Sequence, residues 1–333
     1  MATLLYPDPR FVLHDTSAGH PERPERMGAV DRGVAASTVA EDLEVVEPRA
    51  ATVDELARVH DRDFLTALQR FCEAGGGRLD PDTVASGRSW EIACLAAGAG
   101  LDAADRLRAG EADTAFLAVR PPGHHATPTR AMGFCLVNNV AVTAAALADA
   151  GERVLVVDID AHHGNGTQDA FWDDPRVTYV SIHEYPMYPG TGPASDTGGV
   201  AAPGTTVNIP VPEGAAGDVY RRAVDEIVVP IAERHAPTWL LVSTGFDAHR
   251  NDPLTGLGLT SGDYHDLTAR LLRLVPASRS IVFLEGGYDL DAVTTSTAAT
   301  LGALSGVEVR PEPVTSAGPG DAVVAKVRQI HHL

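Results

Sequence analysis

The chain has 333 residues, 44% of them hydrophobic, with 45 acidic against 26 basic side chains for a formal net charge of −19. That apolar content suffices for a large core, no run of about 18 apolar residues suggests a membrane span, and the acidic balance argues against nucleic acid, whose phosphates require a basic patch or stripe. Cys72, Cys94 and Cys135 lie far apart with no Cys-x-x-Cys, so neither a disulfide framework nor a cysteine-rich zinc site is indicated.

In chain order, MATLLYPDPRF has neither the basic nor the apolar region of a secretory signal, so a cytoplasmic location is expected. Leu4 to Tyr6 predicts a first strand, HPERPERM a proline-punctuated helix start, and LEVVEP at 43–48 a second strand. Thr52 to Glu55 has the form of a capping box before a short helix. Ser89 to Ala109 reads as a helix ahead of a strand at Thr114 to Val119. The alternation then becomes regular: helix Leu136 to Ala150, strands Arg153 to Val157 and Arg176 to Ile182, helix Gly217 to His235, strand Trp239 to Ser243, helix Ser261 to Leu274, strand Ser280 to Leu284, and a last helix from Asp289 to Leu304. Such alternation predicts an α/β fold, a mostly parallel sheet with helices on both faces, in a single domain over 1–333. Residues 183–205 and 245–260 break the rhythm with Gly, Pro, Asp and Thr, and long irregular loops in a compact domain are usually functional. The segment 311–320 reads as a linker to a short amphipathic end that packs back, with His331 and His332 as a frayed terminus.

The densest chemistry lies at 153–167, RVLVVDIDAHHGNGT. Its aliphatic run is of the kind buried on both faces of a parallel sheet, so the acids and histidines that follow sit at a strand's carboxyl end, where open α/β sheets place ligands. While the chain stays extended, Asp158, Asp160 and His162 share one face. A chance polar loop is the weaker reading, because buried carboxylates without a partner or metal are costly. RPPGHHA at 120–126, TGFDAHRNDP at 244–253 and EGGYD at 285–289 also follow predicted strands, so four strand ends point at one site. Catalytic zinc takes three protein ligands and leaves one position open, and Asp160, His162 and Asp247 are the natural trio.

These segments resemble the histone deacetylase superfamily of zinc-dependent amidohydrolases from about His14 to Leu304, leaving a C-terminal extension at 305–333. The resemblance implies an arginase-type fold around an eight-stranded parallel sheet and one catalytic Zn2+ on Asp160, His162 and Asp247. It further implies His124 and His125 as tandem histidines, Asp158 and Asn165 as their partners, and Tyr288 as the phenol that polarises the carbonyl. His125 would be the general base and His124 an electrostatic support; Asn165, in place of an aspartate, is similar to the class II branch. Two-metal relatives of arginase type carry Asp-x-His-x-Asp, whereas Gly164 here cannot bridge a second ion, so His249 is expected to be a polar rim residue.

The resemblance also implies a substrate tunnel walled by Gly133, Phe134 and Tyr188 with Leu254 beside it, while Gly286 and Gly287, lacking side chains, would let the backbone approach the substrate and the Tyr288 phenol swing over the metal. Leu254 stands where an acetyl-lysine branch has an apolar residue and a polyamine-selective branch has Glu. Asp80 lies near a family position that binds substrate backbone, although its LDPDT spacing departs from the usual pattern. Arg26 matches an arginine of an inner cavity, with a buried ion pair as its other reading. A structural K+ is implied near Asp158, Asp160, His162 and Ser181, and a second near Phe171 and Val177. The expected activity is deacylation of acetyl-lysine in proteins or peptides; the alternatives are a deacetylase of acetylpolyamines or another small N-acetylated amine and, more remotely, a non-catalytic binding protein.

Overall fold

Short aliphatic runs closed by turn-formers become strands, and the alanine-rich stretches between them become the helices that cover the sheet. The computed structural model describes residues 2–333. Its strands are β1 (Thr3–Leu5), β2 (Leu43–Val45), β3 (Gly76–Arg78), β4 (Val84–Ser86), β5 (Thr114–Leu117), β6 (Val154–Asp158), β7 (Val177–Glu184), β8 (Thr206–Val211), β9 (Trp239–Thr244) and β10 (Ser280–Leu284). Eight of them form one sheet in the order β2-β1-β5-β10-β9-β6-β7-β8, every neighbouring pair parallel, and β3 pairs with β4 in a small hairpin. Seven of the eight are the strands expected from sequence. The eighth, β8, escapes that reading because Pro210 interrupts its apolar run; it lies at a sheet edge, where a missing N–H is tolerated.

The helices are α1 (Glu25–Ala36), α2 (Val53–Leu56), α3 (Arg62–Glu73), α4 (Ser89–Arg108), α5 (Asn139–Asp149), α6 (Asn165–Phe171), α7 (Gly217–Ala223), α8 (Val229–His235), α9 (Ser261–Leu271), α10 (Leu290–Leu304) and α11 (Asp321–Ile330). Among the described residues no helix is long and apolar enough to cross a membrane. Thr52 and Glu55 make the expected reciprocal cap of α2. α5 starts three residues later than expected, because the Asn138 side chain accepts from the Ala141 N–H and so fixes the first turn there.

Two expectations need correction. The helix over Gly217 to His235 is interrupted by a π turn at Val224–Val228 between α7 and α8. Pro230 has no N–H for the carbonyl one turn back, and its ring crowds that carbonyl, so the hydrogen-bond register loosens at this point. His331 is not frayed: it is buried, and its carbonyl accepts from Arg234 at 3.0 Å. α11 packs on β8 and α7, so the C-terminal end does fold back as expected.

Candidate active site and metal centre

The four central strands, β5, β10, β9 and β6, are adjacent in the sheet, and their carboxyl ends deliver the four polar segments to one place. Asp160 and His162 follow β6, and Asp247 follows β9. One donor atom from each lies within 4.8 Å of the other two, and all three residues are buried. Backbone N–H groups orient the carboxylates: Gly286 donates to Asp160 Oδ2 (2.9 Å), His162 to Asp160 Oδ1 (2.8 Å) and Ala161 to Asp247 Oδ1 (2.9 Å). His162 Nδ1 stands 3.3 Å from Asp160 Oδ1 and 3.0 Å from Asp247 Oδ2. Burial alone would depress the His162 pKa, but the two carboxylates outweigh it and lift it well above the ordinary range. This is a position that favours positive charge. Two carboxylates and an imidazole opening onto a pocket match the three-ligand donor set of a catalytic zinc site.

The tandem histidines follow β5. His124 Nδ1 lies 3.0 Å from Asp158 Oδ2, which also accepts from the Tyr179 hydroxyl at 3.0 Å. Burial would lower His124, but Asp160, then Asp158, raise it to about 10. His125 Nδ1 lies 2.8 Å from Asn165 Oδ1. Burial, followed by the neighbouring His124 and His162, holds the His125 pKa well below the usual value. Two rings whose centroids are 4.1 Å apart are therefore driven to opposite protonation states by their partners.

A pocket of about 270 Å³ opens above the triad, lined by Asp82, His125, Gly133, Phe134, His162, Met187, Tyr188, Leu254 and Tyr288. Tyr188 stands edge-on to His125 at 5.2 Å between centroids, and Phe134 edge-on to Tyr288 at 5.7 Å. Gly133 has φ +57°, and a Cβ there would run into the His125 ring, so the turn that presents Phe134 requires glycine. Tyr288 is anchored through its backbone: its N–H donates to Asp252 Oδ2 at 2.7 Å. Burial, then the charge of Asp247, raises its phenol well above the usual range, so the proton stays on.

Other expected residues lie elsewhere. Gly286 and Gly287 are not on the pocket wall: a Cβ on Gly286 would meet the carboxylates of Asp247 and Asp160, and one on Gly287 would meet Phe246. Asp80 turns into its own loop, accepting from the N–H groups of Asp82 and Thr83, and Asp82 lines the pocket in its place. His249 is no rim residue. It is 1% exposed, with Nε2 2.8 Å from Glu312 Oε2. Arg26, wholly buried, pairs with Glu22 at 3.1 Å and donates to the carbonyls of Gly287 and Glu285, both at 2.6 Å. Those contacts favour its ion-pair reading. Gly164 leaves no space for an acid, since a Cβ would strike Asp158 Oδ2 and the Tyr179 hydroxyl. His163, beside His162, is held by Thr191 and Gln168. Ser181 pairs in register with Asp158, and its hydroxyl lies 2.8 Å from His183 Nδ1; Phe171 ends α6 and Val177 opens β7.

Sequence reasoning assigned no role to Asp82, Met187, Asp252 or Glu285. Glu285 is buried beneath the tandem histidines and accepts from the N–H groups of Gly123 (2.6 Å) and His124 (3.1 Å). Burial, with the charges of Asp158 and Asp160 opposing those of His124 and its N–H donors, pushes its carboxyl up to about 7. Its place at the head of EGGYD was the available signal.

The chain is also similar to known proteins. Residues 20–304 match the family model described as "Histone deacetylase domain". The chain is 36% identical to "Histone deacetylase 14, chloroplastic" of Arabidopsis thaliana, over 92% of its own length and 77% of that protein. It is also 36% identical to the "Histone deacetylase-like amidohydrolase" of Pseudomonas aeruginosa, over 91% of this chain and 82% of the other. Its fold superposes on the crystal structure of the HDA15 HD domain with a TM-score of 0.92 at 35% identity, covering 99% of this chain and 94% of that one.

Proposed function

The chain belongs to the histone deacetylase family, and we propose that it is a zinc-dependent deacylase of N-acetyl amides, acting foremost on acetyl-lysine side chains of peptides or proteins. The observation that carries this reading is that His125, His162 and Tyr288 line one narrow pocket, with Asp160 and Asp247 behind His162. Asp160, His162 and Asp247 would hold Zn2+, which when bound supplies an activated water at neutral pH and polarises the amide carbonyl.

The chain's own residues supply the rest of the chemistry. His125 carries its ring proton on Nδ1 against Asn165, which leaves Nε2 as a free base; its depressed pKa keeps it neutral at pH 7, ready to accept a proton from water and deliver it to the departing amine. His124, kept cationic by Asp160 and Asp158, offsets the negative charge that develops on the amide carbon's oxygens. Tyr288 keeps its phenolic proton and donates a hydrogen bond to that oxygen. Phe134, Tyr188 and Leu254 enclose a slender alkyl chain and exclude water from it. Both Asp158 oxygens already accept hydrogen bonds, so a structural K+ beside it would draw on the carbonyl oxygens of Asp158, Asp160 and His162.

Asp82 on the pocket wall favours a second reading, a small N-acetylated amine carrying positive charge. Turnover of acetyl-lysine peptides, acetylputrescine and acetylspermidine by metal-quantified protein, with a hydroxamate chelator as control, separates the two. Faster hydrolysis of the peptides is expected; a clear polyamine preference overturns the acetyl-lysine assignment, and no hydrolysis of any acyl amide by zinc-loaded protein overturns the deacylase itself.

A further inference from the structure

Glu312 lies beyond the matched family segment, which ends at residue 304, yet its carboxylate reaches the loop that carries Asp247. Oε2 faces His249 Nε2 at 2.8 Å and accepts from the Ser261 N–H (3.1 Å) and hydroxyl (3.0 Å), while Oε1 accepts from Arg250 at 2.7 Å. Burial would raise this carboxyl, but the His249 bond and the Ser261 N–H hold it at about 2, so it is an anion with four donors on it. The surrounding strap is fastened along its length. The Thr260 hydroxyl donates to the Pro313 carbonyl (2.6 Å), the Thr315 hydroxyl to Asp263 (2.7 Å), and the Ala317 N–H to Asp218 (2.7 Å).

Glu312 grips the base of a closed loop. Arg250 N–H donates to the Leu259 carbonyl (2.9 Å) and Leu259 N–H to the Ala248 carbonyl (3.1 Å), which joins the two ends. From His249 the connection continues inward: its carbonyl accepts from the Asp252 N–H at 2.8 Å, and the Asp252 carboxylate accepts from Leu254 N–H at 3.0 Å and Tyr288 N–H at 2.7 Å. Leu254 and Tyr288 are both pocket wall. One side chain of the C-terminal strap thus stands three hydrogen bonds from the backbone N–H of Tyr288.

We propose that Glu312 is a positioning residue for the reaction, acting through His249 and Asp252 to hold Leu254 and Tyr288 in place around the acyl group. The inference rests on the deacylase reading for its activity arm only. A displacement of about 1 Å at a reacting group can cost on the order of 10²-fold in rate, so Glu312→Ala is expected to lower kcat by about 10-fold to 10²-fold. KM and the zinc bound per chain should change far less, since Asp247 also has the Ala161 N–H to orient it. Glu312→Gln, which keeps an acceptor of the same length for His249 and Ser261, should recover most of kcat, and Glu312→Asp, one methylene short of that contact, should fall between the two.

The test uses the full chain, with circular dichroism to select a temperature at which each variant is folded. Loss of a clip that merely stabilises the fold would lower the melting temperature and leave kcat of the folded protein unchanged, and that outcome overturns the proposal. Hydrogen exchange over 248–258 provides a readout independent of turnover: Glu312→Ala should exchange faster there than the parent, and equal protection also overturns the proposal. Should the parent hydrolyse no acyl amide, the deacylase reading fails while the exchange comparison still decides the role of Glu312. If Glu312→Ala does not fold, Glu312→Asp decides by the same two measurements.

Discussion

Two buried charge clusters sit on either side of the EGGYD loop, and they are built on opposite principles. In one, Glu22 is shared by Arg26 (3.1 Å) and Arg120 (2.6 Å), and all three side chains are wholly buried. The remaining guanidinium donors are spent on main-chain carbonyls of Phe11, His14, Glu285 and Gly287. In the other, Asp158, Asp160, Asp247 and Glu285 crowd against His124 and His162, and three of the four carboxyls are pushed upward, Asp158 and Glu285 by burial and Asp247 by burial and then by Asp160, while Asp160, which burial would also raise, is held low by His124 and His162. A cluster whose hydrogen bonds close on themselves is scaffold; a buried cluster left with excess negative charge behind a pocket-lining imidazole is a place for a cation.

The largest effect that sharpens this contrast is expected from Asp247→Asn. Zinc content by elemental assay should collapse and turnover fall by roughly 10³-fold or more, the several kcal/mol a catalytic metal supplies. Its metal-free form should melt no lower than the metal-free parent, since an anion disfavoured by burial has been neutralised. Full zinc occupancy in that variant would break the comparison. On the other side, Arg120→Met should cost about 3–5 kcal/mol of stability whether or not zinc is present, because a buried carboxylate loses its bidentate partner. Denaturant midpoints measure it, and a loss under about 1 kcal/mol would show the cluster to be dispensable.

Tyr288→Phe is expected to retain zinc and lose roughly 3 kcal/mol of transition-state stabilisation, about 10² to 10³ in kcat. Unchanged kcat at equal zinc content would remove the phenol from the reaction. The smallest effect is acid sensitivity of the scaffold. Burial lowers both His14 and His60 to about 4. His60 Nδ1 faces the Thr127 carbonyl, and its Nε2 accepts from the Asn138 N–H at 2.8 Å, a bond that protonation would abolish. The unfolded chain takes up these protons near pH 6.5 and the fold resists them until about 4, so stability is complete above that window and falls as pH drops through it. At pH 5.5 the loss is on the order of 1 kcal/mol per histidine. Denaturation of metal-free protein at pH 7.5 and 5.5 should show a shallower pH dependence in His60→Gln; an equal slope would assign the effect elsewhere.

Much of the site was legible because its chemistry is concentrated in short segments. RVLVVDIDAHHG shows a buried strand and two of the three triad residues within ten positions, and EGGYD shows Tyr288 directly after β10. What misled was spacing too close to resolve. Asp80 and Asp82 differ by one turn residue, and only the folded loop decides which carboxylate closes on its own backbone and which faces the pocket. Gly286 and Gly287 are expected from their missing side chains to let the backbone approach the substrate, whereas in the fold they make room for the triad carboxylates and Phe246. His249 looked exposed because nothing nearby in sequence is its partner; Glu312 is 63 residues away.

By itself the amino-acid order determined the elements and the donor types: aliphatic runs that can only be buried strands, the Thr52 to Glu55 cap, the acids and imidazoles at strand ends. Local sterics and periodicity act between near neighbours, and near neighbours are what a sequence displays. The tertiary structure decided which of those groups meet. The order β5-β10-β9-β6 brings residues 124, 288, 247 and 160 together, pairs Glu22 with Arg120, and sets Glu312 against His249. Such meetings depend on long-range strand pairing and on the desolvation of charges that have no partner until the sheet has formed.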